Sequence, residues 1–479
     1  MPHSTPNVLM FVIDSLRADH CSTYGYHRST TPIAATLASR GVLFTNHFSA
    51  YIPTTPAYST ILTGRDVMAH ETVALQPKGP FDPAIRLLPE ALKEAGYTCI
   101  RVGLHGDLYR GFDRLDGYSE GWYRWEDRPA RKAESMNEVA IPALEELAAG
   151  KSPWLLFLRH MDPHAPYLPP PPFDTMFYSK DPADPGIPDT MGPVRDFPNF
   201  RDFHLAWMPP GVRDIQHPIS QYDGAIAYMD TCIQRILSRL EELGQAENTL
   251  IVWTSDHGET LDEHGCYFDH HGLYEPTLRV PLILSHPGKL PEGKVVDAIT
   301  LHQDLMPTVL EHAGLAESIP ALGMEGQSVL PLISGEVPAL RSEFYITECT
   351  WMRKRGWRTP EWKFIEALEP DFHGKPQVEL YNLKTDPLEL TNAAEKAPDV
   401  VALLKERMEG WIAQRLKETG KPDPIMGYSL GVEGRIGAPP SRRSRSRWWR
   451  LRNRGTRALS GLLSNGLRLS RQDAPKAQP

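Results

Sequence analysis

The chain has 479 residues, 41% of them hydrophobic and 23% charged. That balance belongs to a soluble globular protein able to bury a core. At about 150 residues per domain the length allows roughly three domains, although α/β enzymes often run longer as one. A formal net charge of -9 argues against nucleic acid as the partner of the main body.

The first residues carry no charged leader and no long apolar stretch before a strand-like run, NVLMFVID (7–14), so they do not read as a secretory signal. That run ends in Asp14. A carboxylate at the end of an apolar strand is costly unless it is paired or binds a metal; it could also cap a following helix. Residues 52–65, IPTTPAYSTILTGR, hold Thr54 and Thr55 between two prolines ahead of a helix-like run. The N–H groups of such a helix start form a ready anion site.

Helical spacing then predicts helices over 83–96, 136–150 and 221–244, and apolar runs predict buried strands over 98–103, 154–160 and 249–256. Strand–helix alternation implies an α/β fold with a mostly parallel sheet, and ligands in such sheets sit at the carboxyl ends of the strands. The strand 154–160 ends in Arg159-His160. The strand 249–256 leads into Asp256-His257-Gly258-Glu259, with His264, Asp269, His270 and His271 close behind. This reads as either a polar turn or a divalent-metal site. The proline-rich stretch 163–218, short of regular pattern, reads as an active-site wall or lid beside His164.

Residues 340–420 carry strand-like EFYITEC, WKFIEAL and VELYNL and then one helix, a smaller α+β subdomain. The domains expected are therefore 1–335 (catalytic), 336–424 (C-terminal α+β) and 425–479 (a basic tail). The tail, with Trp448 and Trp449 among arginines, reads as a disordered solvated segment or as an element contacting an anionic membrane surface. The five cysteines are scattered, odd in number and without a CxxC pair. They imply a reducing compartment, and no apolar stretch is long enough to span a membrane; the expected location is cytoplasmic.

Taken in order, NVLMFVIDSLRADHCSTYGYHRSTTP, TPAYSTILTGR, GFDRLDGY, MDPHAPYLPP, TSDHGETLDEHG, YEPTLRVPLI, DLMPTVLEHAG and YNLKTDPLELTN resemble the sulfatase family, within the alkaline phosphatase superfamily. The resemblance spans nearly the whole chain. It implies an alkaline-phosphatase-like central sheet flanked by helices, an ester hydrolase acting on a small molecule, and a divalent-metal site of Asp14, Thr54, Asp256 and His257. Aligned on Thr63-Gly64-Arg65, Thr54 takes the place of the cysteine or serine that becomes formylglycine in sulfatases, which threonine cannot do. Tyr58 replaces the arginine of that signature and, with Arg65, is assigned to the substrate-binding side, Arg65 as support for the nucleophile loop. The family's Gly-Lys-Trp-His motif is reduced to Gly103-Leu104-His105, and its later lysine is replaced by His270 or His271.

The threonine resembles the nucleophile of nucleotide pyrophosphatases/phosphodiesterases, and the ligand set resembles phosphonate monoester hydrolases. A phosphothreonine can be released by water attacking phosphorus, so no elimination route is needed. The expected substrate is a phosphodiester or phosphonate monoester, with Thr54 as nucleophile, His164 as proton donor to the leaving group, and His270, His271 and His105 as further catalytic candidates. With Ser15 in place of a second aspartate, the donor set favours manganese, zinc or iron over calcium. A second ion on some of Asp162, His164, His270 and His271 is a further option. Alternatives are a sulfatase working without formylglycine, a transferase, and a non-catalytic binding protein of this fold; a homo-oligomer fits the family.

Overall fold

The computed structural model describes residues 5–75, 81–103, 108, 110–119, 123–197, 201–371 and 373–427. The basic tail and His105 lie outside them. Fourteen strands are present among the described residues: β1 Asn7–Ile13, β2 Val42–Phe48, β3 Tyr51–Ile52, β4 Thr98–Val102, β5 Arg114–Asp116, β6 Trp154–His160, β7 Thr249–Ser255, β8 Arg279–Ser285, β9 Lys294–Val296, β10 Thr300–Leu301, β11 Phe344–Cys349, β12 Arg353–Arg358, β13 Trp362–Ala367 and β14 Val378–Asn382.

Nine of them form one sheet in the order β10-β2-β8-β7-β1-β6-β4-β5, with β9 paired to β2. β1, β6 and β7 are buried along their whole length, which is why their sequences run apolar without alternation. Pairing is parallel on both sides of β1 and between β4 and its neighbours. β8 runs antiparallel to both β7 and β2, so the sheet is mostly parallel. Ile13 is in register with His160 on β6 and with Ser255 on β7. The residues just past these strand ends, Asp14 and Asp256, are thereby brought side by side.

Helices cover the sheet. The helix Gln216–Glu242 buries Ile219, Tyr222, Ile226, Met229, Ile233, Ile236 and Leu240, one stripe at helical spacing. It packs with the helix Lys132–Ala149 into the core that also holds Leu9, Phe11 and Ile13. Both helices begin four to five residues earlier than their apolar pattern predicts, because their first turns are buried by neighbours and need no apolar signal of their own. The expected helix over 83–96 is shorter, Leu88–Glu94. The prolines of 163–218 do not leave that stretch loose: Tyr167, Met191 and Trp207 are buried, and Tyr167 meets Trp207 and Tyr222 edge-on at 5.0 and 5.2 Å. Its described residues also include two short helices, Gly192–Asp196 and Arg201–Leu205.

A second sheet has the order β14-β13-β12-β11-β3, packed by the helix Pro398–Thr419. It has one strand more than its apolar runs announce: β12 reads RKRGWR, and its charges are paired, Lys354 with Asp371 and Glu379, Arg355 with Glu366. It also recruits Tyr51–Ile52, immediately before Thr54, through parallel pairing with β11. No helix among the described residues is long and apolar enough to cross a membrane.

Candidate active site

Three strand ends and one helix start build the site. Asp14 and Asp256 are fully buried, and with His257 they place a ligand atom each within 4.8 Å of one another. Ser15 holds the corner at a left-handed φ of 63°, which costs a non-glycine residue about 1–2 kcal/mol. In return its N–H reaches Asp256 Oδ1 at 3.1 Å and its hydroxyl donates to Asp14 Oδ1 at 3.0 Å. Asp256 Oδ1 also accepts the His257 N–H at 2.8 Å. Asp256 Oδ2 is buried and accepts no hydrogen bond, its neighbour being His257 Nε2 at 3.5 Å.

His257 Nδ1 donates to the Gly258 carbonyl at 2.9 Å. That contact fixes the tautomer and leaves Nε2 with a lone pair. Thr54 Oγ1 lies 3.0 Å from this Nε2. Thr54 is the first residue of the helix Thr54–Thr63, where backbone N–H groups lack intrahelical partners and the helix end is electropositive. A buried carboxylate oxygen without a donor, a second carboxylate, an imidazole lone pair and a hydroxyl fit a divalent ion held by Asp14, Asp256, His257 and Thr54.

Arg159, near the end of β6, pairs with Asp14 Oδ2. Burial opposes ionisation of Asp14, but Arg159, with His164, His257 and His270, outweighs it and holds the carboxyl far below the usual range. Asp256 goes the other way: burial and the neighbouring Asp14 push it up to about 7. Two adjacent carboxylates with opposite shifts are what like charges sharing one site produce.

His164 and His270 face this centre. The His270 ring is 4.5 Å from that of His257 and 5.8 Å from that of His164, between centroids. His164 Nδ1 donates to the Ala165 carbonyl at 2.6 Å, which fixes the orientation of the ring. The loop carrying it is gathered by buried Lys132, whose Nζ donates to the carbonyls of His164 at 2.6 Å and Met161 at 3.3 Å and pairs with Asp162 at 3.2 Å. Asp162 is thus paired with Lys132, and the acid–imidazole groups found among the described residues do not include it. Among the described residues the second acid–imidazole cluster is Glu259, Asp269 and His270.

His271 is fully buried behind His270, 3.3 Å from Asp269 Oδ2 and 3.2 Å from His373 Nε2. Tyr58 is buried, its ring packed in the core with the Arg159 guanidinium 5.3 Å from its centroid and its hydroxyl 3.5 Å from the Val12 carbonyl. Arg65 donates to the Leu322 carbonyl at 2.7 Å, which ties the end of the helix Thr54–Thr63 to its neighbour. His264 stacks on Tyr274 at 3.7 Å and lies outside the cluster. Sequence reasoning missed Arg159 and Lys132 as site residues. A charge at a buried strand end was visible for the first; nothing in the local pattern marks the second.

A Sulfatase family model matches residues 6–315, and an N-sulphoglucosamine sulphohydrolase C-terminal model matches residues 262–414. The chain belongs to the sulfatase family. It is 25% identical over 489 residues to an N-acetylglucosamine-6-O-sulfatase of Bacteroides thetaiotaomicron, covering 84% of this chain and 86% of that protein. It is 24% identical over 508 residues to the multifunctional alkaline phosphatase superfamily protein PehA of Trinickia caryophylli, covering 87% and 96%. The phosphonate monoester hydrolase of Agrobacterium radiobacter shares the fold, with a TM-score of 0.66 and 23% identity over 86% of this chain and 96% of that one. This sulfatase-family protein is thus a hydrolase acting on ester bonds, in the alkaline phosphatase superfamily, whose members generally use a divalent metal ion; the Asp14, Asp256 and His257 group supplies a place for one.

Proposed function

We propose that this sulfatase-family enzyme hydrolyses phosphodiesters or phosphonate monoesters through Thr54. The observation that carries the reading is a threonine hydroxyl, 3.0 Å from His257 Nε2, where sulfatases need a residue that can become formylglycine. In this reading the Thr54 hydroxyl gives up its proton to solvent and its Oγ bonds to phosphorus as the bond to the leaving oxygen breaks, while His164 delivers a proton to that oxygen. Water then attacks phosphorus and passes a proton to His164, and Thr54 departs with its oxygen, which takes its proton back from solvent. A divalent ion on Asp14, Asp256, His257 and Thr54, manganese, zinc or iron before calcium, would lower the pKa of the hydroxyl and offset the charge on the transferring group. Arg159 supplies one fixed positive charge, and a diester or phosphonate monoester, less charged than a phosphate monoester, suits a cleft with few cations.

A second reading, hydrolysis of sulfuric esters without formylglycine, is favoured by the sulfatase named among the relatives. A panel of bis-aryl phosphate, aryl phosphonate and aryl sulfate esters, each with Mn, Zn, Fe and Ca, separates the two. Phosphorus esters should turn over at least about a hundredfold faster, a gap of about 2.7 kcal/mol in the barrier. Faster cleavage of the aryl sulfate, with residue 54 shown by mass spectrometry to be unmodified threonine, would reverse the assignment.

A further inference from the structure

We infer that Lys132 is a positioning residue for the reaction: it fixes the loop that aims His164 at the leaving oxygen. The inference rests on the proton-donor role proposed for His164. That role demands geometry, because a general acid has to lie within hydrogen-bond reach of the oxygen it protonates. Residues 161–166, Met-Asp-Pro-His-Ala-Pro, follow β6 directly. Pro163 and Pro166 have no N–H to offer a helix or a sheet, so the segment needs another anchor.

One side chain provides it. Lys132 Nζ donates to the His164 carbonyl at 2.6 Å and to the Met161 carbonyl at 3.3 Å, lies 3.5 Å from the Pro166 carbonyl, and pairs with Asp162 Oδ1 at 3.2 Å. A single ammonium thus gathers both ends and the middle of the loop. The His164 ring is in turn fixed by the Ala165 carbonyl, which in sequence stands between two of the carbonyls around Lys132. Lys132 itself has a firm base. It is the first residue of the helix Lys132–Ala149. In that helix Asn137 Nδ2 donates to the Cys232 carbonyl at 2.9 Å and the Glu134 N–H donates to the Tyr228 hydroxyl at 3.1 Å, so the helix Gln216–Glu242 holds its first turns. Groups based on packed helices are placed more precisely than groups held by loops alone.

Position and burial argue for more than a stabilising pair. A cation at a helix start opposes the helix dipole. Lys132 is also 2% exposed, and a buried ion pair gains little over packed apolar side chains of similar volume. What apolar side chains could not do is hold the carbonyls of a loop at set distances. Asp162 cancels the ammonium charge while its other oxygen accepts the Ala133 N–H at 2.9 Å. The pair therefore presents no net charge to a substrate, and its effect on the reaction is geometric. Losing it should lower kcat and leave KM nearly unchanged, and only where the leaving oxygen needs a proton.

The test compares Lys132→Met and Lys132→Met/Asp162→Asn with the unsubstituted full chain on the methyl and 4-nitrophenyl esters of phenylphosphonate, each variant checked by circular dichroism. The double variant removes the buried carboxylate that the single one leaves unpaired and keeps an oxygen for the Ala133 N–H, so it carries the test if the single variant does not fold. With the methyl ester kcat should fall about tenfold to a hundredfold, with the 4-nitrophenyl ester less than about threefold, and KM should stay within about twofold for both. Added to His164→Ala, the same substitutions should cost nothing further. Equal losses with the two esters, a full further loss on the His164→Ala background, or failure of both variants to fold would make Lys132 a structural residue only and overturn the inference. A leaving-group-dependent loss in His164→Ala with none in the Lys132 variants overturns it alone. Equal losses with the two esters in His164→Ala remove the His164 reading and this inference with it.

Discussion

A threonine hydroxyl is almost wholly protonated at neutral pH, so its reactivity has to come from its surroundings. Thr54 has a helix start behind it and the His257 lone pair in front. Thr54→Ala should lower kcat by at least about a thousandfold, while Thr54→Ser, which keeps the oxygen, should retain measurable turnover. Steady-state kinetics with unchanged circular dichroism check this; an alanine variant near wild-type activity removes the hydroxyl from the reaction. His164 is oriented by its own Nδ1 contact to Ala165. If it protonates the leaving oxygen, His164→Ala should cost about 10²–10⁴-fold for alkyl leaving groups. With 4-nitrophenolate, which departs without a proton, the loss should fall below about tenfold. Equal losses for both leaving groups would assign His164 to binding.

At the scale of elements, the site depends on how closely the turn after β7 packs against its neighbours. Gly258 joins the two acid–imidazole clusters, and a Cβ there would sit 1.8 Å from the Pro276 carbonyl oxygen and 2.9 Å from its carbon. Backbone cannot give way as a side-chain tip does. Gly258→Ala should destabilise by about 3 kcal/mol and displace His257 from Thr54, lowering both the urea midpoint and turnover. Retained turnover in a stable Gly258→Ala variant would mean the turn is looser than its contacts imply. The register of β1 between β6 and β7 matters in the same way. A slip of one residue would turn Asp14 to the opposite face of the sheet, which ties the position of the carboxylate to the burial of Phe11 and Ile13.

Across the whole molecule, buried histidines tie stability to pH. Burial pushes His70, His160 and His302 each down to about 3. Below an unfolded pKa near 6.5 the unfolded chain takes up protons that the folded chain refuses. Stability from these groups is thus complete above that pH and is lost as pH falls toward 3. At pH 5.5 each contributes about 1.4 kcal/mol less, about 4 kcal/mol for the three. Buried carboxyls raised to about 7, among them Asp230, Glu348 and Glu389, act in the opposite sense, so the histidine share is read by difference: from urea midpoints, the stability of His70→Gln relative to the unsubstituted chain should be about 1.4 kcal/mol more favourable at pH 5.5 than at pH 7.5. A difference that does not change between the two pH values would mean that the folded His70 ring takes up protons as the unfolded one does.

Much of the fold was legible because its information is local. The apolar runs of β1, β4, β6 and β7, the periodicity of Gln216–Glu242, and carboxylates placed at strand ends announce a parallel sheet with chemistry at one edge. The order of motifs led to the family, and Thr54 marked itself as a departure from it. Other features arise only where distant segments meet. β12 hides among its charges, because pairing with Asp371, Glu379 and Glu366 replaces apolar character as the reason for burial. Lys132 reaches the His164 loop across 32 residues of chain, Arg159 finds Asp14 across 145, and Asp162 is claimed by Lys132. Which acids gather, and which partner each one keeps, follows from packing and desolvation in the folded core, and those energies have no counterpart in the linear pattern.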